Sequence, residues 1–232
     1  MKSTKPRGAQ SRSTIESRLI VADPALGRVI AAVVARIGPQ RIAPSRATPF
    51  EALIRAVVYQ SVSGKAAASI FARLKEVISE PLTPLKVMAR RPQSLAWAGL
   101  SNAKVRSIRG LAGWFASNAK LARALPTLPD DEIVETLSAI PGIGAWTVNV
   151  LLIFNLGRLD VMPAADLGIR RGVQLTYGLR AIATPKQVLE RSQAWSPYRS
   201  IASIYLWQAA KLKLGPNALE GEKSDDYRPP SR

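Results

Sequence analysis

The chain has neither cysteine nor histidine among its 232 residues. Without cysteine it can form no disulfides and has no thiolate nucleophile. Without histidine it has no Ser-His-Asp triad and no imidazole acid or base. The two absences together exclude metal sites built from Cys and His ligands. Any chemistry that the protein performs must therefore use carboxylate, lysine, tyrosine or backbone groups.

Acidic residues are scarce: 16 Asp and Glu stand against 33 Lys and Arg, a formal net charge of +17. Without the terminal segments 1–13 and 220–232, the chain still has 26 basic and 12 acidic residues, a net charge of +14. A folded body this positive indicates a polyanionic partner, most often nucleic acid. A charged surface that serves solubility alone is the alternative. The apolar fraction of 47% suffices for a core, so we expect disorder only in the two terminal segments.

Long apolar runs are also missing. The longest ones, 30–35 and 150–154, are far shorter than the roughly 20 residues that a membrane span needs. The polar, basic segment 1–13 lacks the apolar stretch of a signal peptide. We therefore expect no membrane association, and a location in the cytoplasm or nucleoid of a bacterium or in the nucleus of a eukaryote.

Helical periodicity dominates the rest of the chain. Apolar residues recur at helical spacing from Phe50 to Val58 and again from Ile70 to Ile78, with Ser63 as the N-cap of the second helix. The segment between these helices, 60–63, is predicted to be a tight turn. Further helices are predicted at about 15–37, 102–116, 131–138, 145–156, 165–178, 185–194 and 197–212. Alternating strand patterns are hard to find, so the sequence favours an all-α fold.

The segment from Leu137 to Thr147 is the most informative. It contains Pro141-Gly142-Ile143-Gly144 between two predicted helices. Two glycines permit positive φ and close backbone approach, and the second helix directs its free N–H groups outward from the turn. Such a turn binds an anion through backbone alone. An ordinary helix-to-helix turn is the alternative, but the positive body favours a DNA phosphate.

This segment resembles the helix-hairpin-helix of the DNA glycosylase superfamily, and further motifs narrow the resemblance to the 3-methyladenine DNA glycosylase II family. The resemblance covers roughly residues 25–215, with motifs that agree in order and spacing. The motifs are at 137–147, 160–168, 59–67, 99–104 and 195–200, with Trp207.

The family resemblance implies an all-α fold of two packed helical subdomains with the active-site cleft between them. One subdomain would comprise about 45–125. The other would comprise about 14–44 and 126–219 and contain the helix-hairpin-helix at about 131–156. Residues 1–13 and 220–232 would be disordered tails.

Asp166 is the candidate catalytic residue. It lies near the start of a helix whose first position is predicted at Pro163, where the helix dipole favours an ionised carboxylate. Such a carboxylate stabilises the oxocarbenium-like sugar that forms when a base departs. A plain helix-terminus role is the alternative, and Asp160 is expected to be only a turn or cap residue. The resemblance favours Asp166, because its spacing after Trp146 matches the catalytic Asp of the family.

The resemblance also implies a monofunctional enzyme without an iron–sulfur cluster. Bifunctional relatives carry a Schiff-base Lys two residues after the second hairpin glycine, and this chain has Trp146 there. The cluster of some relatives needs cysteine ligands, which the chain lacks.

Aromatic side chains would bind the everted base, because alkylated purines are cationic and attracted to aromatic faces. The candidates implied by the resemblance are Trp146, Trp207, Tyr59 and Tyr205. Some relatives carry a further pocket Tyr where this chain has Val150. The gap left in the DNA would be filled from the turn Gln60-Ser61-Val62-Ser63, by either Ser61 or Val62.

DNA backbone contacts are expected from the hairpin and from nearby basic residues. The candidate hairpin contacts are Gly142, Gly144, Ala145 and Thr147, and the candidate turn contacts are Gln60, Ser61, Val62 and Lys65. Further basic candidates are Lys104, Arg106 and Arg199. The resemblance also implies that the carbonyl groups of Ser138, Ile140 and Ile143 would hold a structural sodium or potassium ion, and that the reaction requires no cofactor.

Together these features predict a monomeric, monofunctional DNA glycosylase acting on double-stranded DNA with damaged bases. It would excise alkylated purines, chiefly 3-methyladenine and 7-methylguanine, with ethenoadenine and hypoxanthine as further candidates. One alternative is a non-catalytic helix-hairpin-helix module that binds distorted duplex. Another is a glycosylase with lyase activity that uses a different Lys.

Overall fold

The structure, a computed structural model, describes residues 12–216. All of the expected carboxy-terminal tail and nearly all of the amino-terminal one lie outside this range. Every regular element within it is helical, which confirms the all-α prediction. The helices are α1 Arg12–Ala22, α2 Pro24–Ile37, α3 Pro49–Tyr59, α4 Gly64–Ile78, α5 Pro84–Ala89, α6 Pro92–Ala96, α7 Asn102–Ser117, α8 Ala119–Ala124, α9 Asp130–Ser138, α10 Ala145–Phe154, α11 Leu167–Tyr177, α12 Pro185–Ser192 and α13 Arg199–Leu212. Short 3₁₀ turns are at Leu125–Thr127 and Gln193–Trp195.

The predicted helix 15–37 is two helices, separated at Asp23. The Asp23 carboxylate caps α2 by accepting the N–H groups of Ala25 (3.1 Å) and Leu26 (3.0 Å), and Pro24 occupies the first turn. An N-cap Asp followed by Pro is a helix start signal. The sequence analysis did not use this signal and therefore predicted one helix.

The described residues form two compact units, one of residues 42–163 and one of residues 12–41 with 164–216. In the first unit α3 packs against α7 and α10, and α9 packs against α10. Fully buried apolar side chains such as Leu53, Val57 and Ile108 fill its core. The structure therefore groups both hairpin helices with α3 to α8, whereas the sequence analysis assigned them to the subdomain of the termini.

In the second unit α13 packs against α2 and α11. The approach of α11 to α13 is close because Gly172 has no side chain: a Cβ atom there would overlap the backbone carbonyl of Leu206. Asp23 also joins distant parts of this unit, because its carboxylate accepts the Tyr177 hydroxyl and the Trp195 indole N–H (2.9 Å). Among the helices of residues 12–216, none has the length and apolar character to cross a bilayer.

Candidate active site and nucleic-acid interface

Asp166 is the N-cap residue of α11, with its backbone in the extended region (φ −64°, ψ 129°). The helix begins at Leu167, so the prediction that it starts at Pro163 is wrong. The half-buried carboxylate accepts two hydrogen bonds on the same oxygen, Oδ1: one from the Ile169 N–H (2.8 Å) and one from the Trp207 indole Nε1–H (2.8 Å). A helix amide and an indole from α13 thus fix the orientation of this carboxylate.

Gly168 makes room for this arrangement. A Cβ atom at Gly168 would lie 2.8 Å from Trp207 Cδ1, 3.0 Å from Asp166 Oδ1 and 3.3 Å from Trp207 Nε1. These separations are tighter than van der Waals contact allows. The absence of a side chain at position 168 therefore lets the indole reach the carboxylate.

The hairpin between α9 and α10 depends on one glycine for its conformation. Gly142 has φ +83°, and a Cβ atom there would overlap the Ser107 hydroxyl of α7. Gly144 is the N-cap residue of α10 with an ordinary extended backbone (φ −94°, ψ 169°). A Cβ atom at Gly144 would meet nothing within 4 Å. Only Gly142 therefore needs glycine for the turn, while Gly144 leaves open space beside the backbone.

The backbone of this hairpin presents unused donors. Within residues 12–216, the N–H groups of Gly142, Gly144 and Ala145 make no hydrogen bond, whereas the N–H of Ile143 donates to the Ile140 carbonyl (3.0 Å). All three unused donors belong to residues that are largely exposed. Exposed amides at a helix N-terminus are suited to bind a phosphate.

Thr147 does not contribute its side chain to this surface. It is only 1% exposed, and its hydroxyl accepts a hydrogen bond from the Gln60 side-chain amide (2.7 Å). Its backbone N–H donates to the Gly144 carbonyl (2.9 Å). The Thr147 hydroxyl is therefore engaged within the protein here, and its contact with a phosphate stays a prediction.

The turn between α3 and α4 is held at its first residue. The Lys104 ammonium donates to the Val58 carbonyl (2.8 Å) and to the Gln60 carbonyl (2.8 Å). Burial lowers the pKa of Lys104 from its ordinary value. Lys104 is thus a contact within the protein, and its role as a DNA contact stays a prediction.

The rest of this turn is more open. Ser61 is exposed and has φ +55°, in the left-handed region, while Val62 is half-buried. Ser63 is at the N-cap position of α4, as predicted, but its side chain makes no capping hydrogen bond. Lys65 is exposed in the first turn of the same helix.

The predicted pocket aromatics differ in their surroundings. Trp146 and Tyr59 are half-buried, and the Arg55 guanidinium lies 4.6 Å from the centre of the Tyr59 ring. Tyr205 is fully buried in α13, where its hydroxyl donates to Glu16 and accepts the Gln40 N–H (3.1 Å).

The prediction of Tyr205 as a pocket residue is therefore wrong, because no part of its ring is open to a ligand. Burial, followed by the Glu16 hydrogen bond, raises the pKa of the Tyr205 hydroxyl. Val150, in α10, is half-buried. Among the basic candidates, Arg106 is exposed and Arg199 is the half-buried first residue of α13.

The carbonyl groups expected to hold a monovalent ion lie at the end of α9 and in the hairpin. Beside them, the Ser138 hydroxyl is buried and has no hydrogen-bond partner among the described residues. An orphaned oxygen at this position fits an oxygen-coordinated cation. Elsewhere in residues 12–216, His, Cys, Asp and Glu form no group that could hold a metal ion.

Sequence reasoning missed the contacts that join distant parts of the chain. It did not predict the bond between Trp207 and Asp166, the bond between Gln60 and Thr147, or the two bonds of Lys104. The partners are at least 41 positions apart, so no local pattern reports them. The one available signal was Lys104 itself, a lysine in the first turn of a helix, where the dipole disfavours a cation unless it has acceptors nearby.

The glycine hairpin and the capping Asp166 both lie in the part of this all-helical chain that matches a class of base excision repair protein. Residues 54–197 match the family model described as HhH-GPD superfamily base excision DNA repair protein. The chain belongs to this superfamily.

Individual relatives agree with the assignment. The chain is 38% identical over 172 residues to DNA-3-methyladenine glycosylase 1 of Schizosaccharomyces pombe, covering 71% of this chain and 73% of that one. It is 32% identical over 196 residues to DNA-3-methyladenine glycosylase 2 of Escherichia coli, and the match covers 79% of this chain and 64% of that one.

Solved structures give the same result. The S. pombe 3-methyladenine DNA glycosylase in complex with abasic DNA superposes with a TM-score of 0.75 at 34% identity, covering 85% of this chain and 97% of that one. A DNA-3-methyladenine glycosidase of Bacillus halodurans superposes with a TM-score of 0.73 at 29% identity, covering 91% and 95%.

Proposed function

We propose that the chain is a monofunctional DNA glycosylase that excises alkylated purines from double-stranded DNA in base excision repair and leaves an abasic site. Its chief substrates would be 3-methyladenine and 7-methylguanine, with ethenoadenine and hypoxanthine as further ones. It would act as a monomer, in the bacterial cytoplasm and nucleoid or in a eukaryotic nucleus. The observation that carries the proposal is the carboxylate of Asp166, held by Ile169 and Trp207. The names of the relatives support the reaction class.

The chemistry follows from the charge of the transition state. As the base leaves, positive charge develops on the sugar, and a fixed carboxylate beside it stabilises that charge. An electrostatic contact of this kind contributes about 10²- to 10³-fold in rate, or about 3–4 kcal/mol. Two donors on Oδ1 hold the Asp166 carboxylate before substrate binds, so little reorganisation is needed during the reaction.

The monofunctional character rests on Trp146. It is the second residue of α10, where bifunctional members of the family carry the lysine that forms a Schiff base. An indole cannot attack the sugar as an amine does. We therefore expect water to complete the reaction and the DNA strand to remain intact.

The family resemblance makes Trp146, Tyr59 and Trp207 the aromatic side chains that would stack on the damaged base. Of these, Trp207 donates its indole N–H to the Asp166 carboxylate. A cationic purine on an aromatic face gains roughly 0.5–2 kcal/mol per contact.

The DNA backbone would bind the N–H groups of Gly142, Gly144 and Ala145, with Lys65, Arg106 and Arg199 adding electrostatic attraction. The turn 60–63 would fill the space left by the flipped nucleotide. A sodium or potassium ion on the carbonyl groups of Ser138, Ile140 and Ile143 would link the hairpin to a phosphate. Replacing the sodium and potassium in the buffer by tetramethylammonium should then weaken DNA binding.

Asp166→Asn tests the proposal, with Asp131→Asn as the control. Asn is as good an N-cap as Asp, so the first variant removes the charge and leaves α11 capped. The control makes the same change at an exposed residue of the first turn of α9. We expect Asp166→Asn to lose about 10²- to 10³-fold in excision while it retains binding to abasic duplex, and the control to excise normally.

The assay is release of bases from methylated duplex DNA, identified by mass, with parallel oligonucleotides that contain ethenoadenine, hypoxanthine or uracil. Full-rate excision by Asp166→Asn would refute the role of this residue. Binding to distorted duplex with no release by the wild-type chain would favour the non-catalytic alternative. Strand breaks without alkali or heat would favour a lyase that uses another lysine. Release of uracil alone would refute the substrate class.

A further inference from the structure

The turn that joins α3 to α4 is tied to two other helices through a single residue, Gln60. Its backbone carbonyl accepts the Lys104 ammonium of α7 (2.8 Å), which also binds the Val58 carbonyl (2.8 Å). Its side-chain amide donates to the buried Thr147 hydroxyl of α10 (2.7 Å). We refer to these three hydrogen bonds, made by Gln60 and Lys104, as the brace.

The brace is more than an ordinary helix end. The last carbonyl groups of a helix have no partner within it, and they are most often satisfied by water or by a local turn. Here a partly buried ammonium binds two of them, although removing a charge from water is costly. The two hydrogen bonds offset part of that cost, and they fix the positions of both carbonyl groups.

The residue that follows is strained. Ser61 has φ +55° and is exposed, so no burial of its own side chain compensates for the left-handed backbone. A single non-glycine residue in this region is strained, and it persists when its surroundings determine its conformation. The brace ends at the residue immediately before Ser61 and so supplies that constraint.

We propose that Lys104 and Gln60 are positioning residues which hold the turn 60–63 rigid against the base stack, in a fixed register with the phosphate-binding hairpin. This inference rests on the proposed function. Opening the stack costs free energy at each base step. A flexible turn would change conformation instead of separating the stacked bases. Because Thr147 belongs to the first turn of α10, next to the hairpin amides, the brace also fixes the distance between the two DNA contacts.

Lys104→Met removes the ammonium and keeps an apolar stem. The matched control is Lys86→Met, because the Lys86 ammonium likewise donates to two backbone carbonyls, those of Ser79 (3.3 Å) and Glu80 (2.9 Å), at the far end of α4. Both changes remove one charge and one pair of carbonyl contacts in the same unit. Lys104→Arg is the conservative variant and should rescue part of the loss.

Two readouts separate positioning from mere stability. The first is the fluorescence of 2-aminopurine placed next to an abasic-site analogue in duplex DNA, which rises when the neighbouring stack opens. The second is the single-turnover excision rate for a lesion that is base-paired and for the same lesion in an unpaired bulge. For Lys104→Met we expect the fluorescence rise to be lost, binding to change by less than about threefold, and the paired-to-bulged rate ratio to fall about tenfold, equivalent to about 1.4 kcal/mol.

The outcomes distinguish this inference from the proposed function. If the wild-type chain excises but Lys104→Met matches Lys86→Met in both readouts, the brace fails and the function stands. If the wild-type chain opens the stack without excising, and Lys104→Met does not open it, the function fails and the brace stands. A wild-type chain that never raises the fluorescence overturns the brace. If Lys104→Met does not fold, Thr147→Val replaces it. This variant removes only the acceptor of the hydrogen bond from the Gln60 side chain, and it must show the same fall in the paired-to-bulged rate ratio. An unchanged ratio overturns the inference.

Discussion

Gly168→Ala should separate activity from stability. Gly168 is the second residue of α11, and alanine in a helix is about 0.5–1 kcal/mol more favourable than glycine. The new methyl group would lie 2.8 Å from Trp207 Cδ1 and 3.0 Å from Asp166 Oδ1. Since carbon atoms prefer separations of about 3.5–4.0 Å, the indole or the carboxylate must move by nearly 1 Å.

Under the proposed function, that movement changes the orientation of the carboxylate that stabilises the transition state. It stretches the 2.8 Å bond between Trp207 Nε1 and Asp166 Oδ1 and turns the carboxylate away from its fixed orientation. A misplacement of about 1 Å can cost up to 10²-fold in rate. We expect single-turnover excision by Gly168→Ala to fall about 10- to 10²-fold. The melting temperature should change by only a few degrees, because the helix propensity gained offsets part of the strain.

Gly113→Ala is the control for this experiment. Gly113 lies inside α7, and a Cβ atom there would meet nothing within 4 Å. The control should therefore be slightly more stable than the wild-type chain and equally active. Excision by Gly168→Ala at the rate of Gly113→Ala would refute the claim that the bond between Trp207 and Asp166 positions the carboxylate.

Three further changes test other parts of the structure. Gly172→Ala forces a methyl group onto the Leu206 carbonyl and should destabilise the chain by about 3 kcal/mol in urea unfolding. Gly142→Ala strains the hairpin at φ +83° and should weaken duplex binding several-fold in fluorescence anisotropy while the paired-to-bulged rate ratio holds. Burial and the Asp23 hydrogen bond raise the pKa of Tyr177, so this contact stabilises the fold below about pH 10 and less above it. Tyr177→Phe should therefore lose about 1–2 kcal/mol at pH 8, and the deficit should shrink in unfolding curves above pH 10.

The sequence predicted what depends on neighbouring residues. Apolar spacing located the long helices, because a buried stripe must recur every three to four residues. The pair Pro141-Gly142 predicted the turn of the hairpin, since the left-handed φ there excludes most side chains. The short helices α5, α6 and α8 were missed, because five or six residues are too few to show a period.

The sequence analysis misjudged side chains whose hydrogen-bond partners lie far away along the chain. Tyr205 looked like a pocket aromatic, but its hydroxyl bonds Glu16, which is 189 positions away. Lys104 looked like a surface cation, but its acceptors come from the end of another helix. Composition and periodicity describe which face of an element is buried, and they do not say which two polar groups will meet there.

The strongest objection to a catalytic Asp166 is that an aspartate at the start of a helix needs no other explanation. Capping accounts for the bond from the Ile169 N–H, because the third amide of a helix is the usual donor to an N-cap side chain. It does not account for the indole of Trp207, which approaches the same oxygen from a different helix. Capping also does not explain Gly168. Alanine has the higher helix propensity, but any side chain at this position would displace the indole. A helix cap requires only the hydrogen bond from the Ile169 N–H. The second hydrogen bond, from the Trp207 indole, and the glycine that makes room for it are what a carboxylate held in a fixed orientation requires.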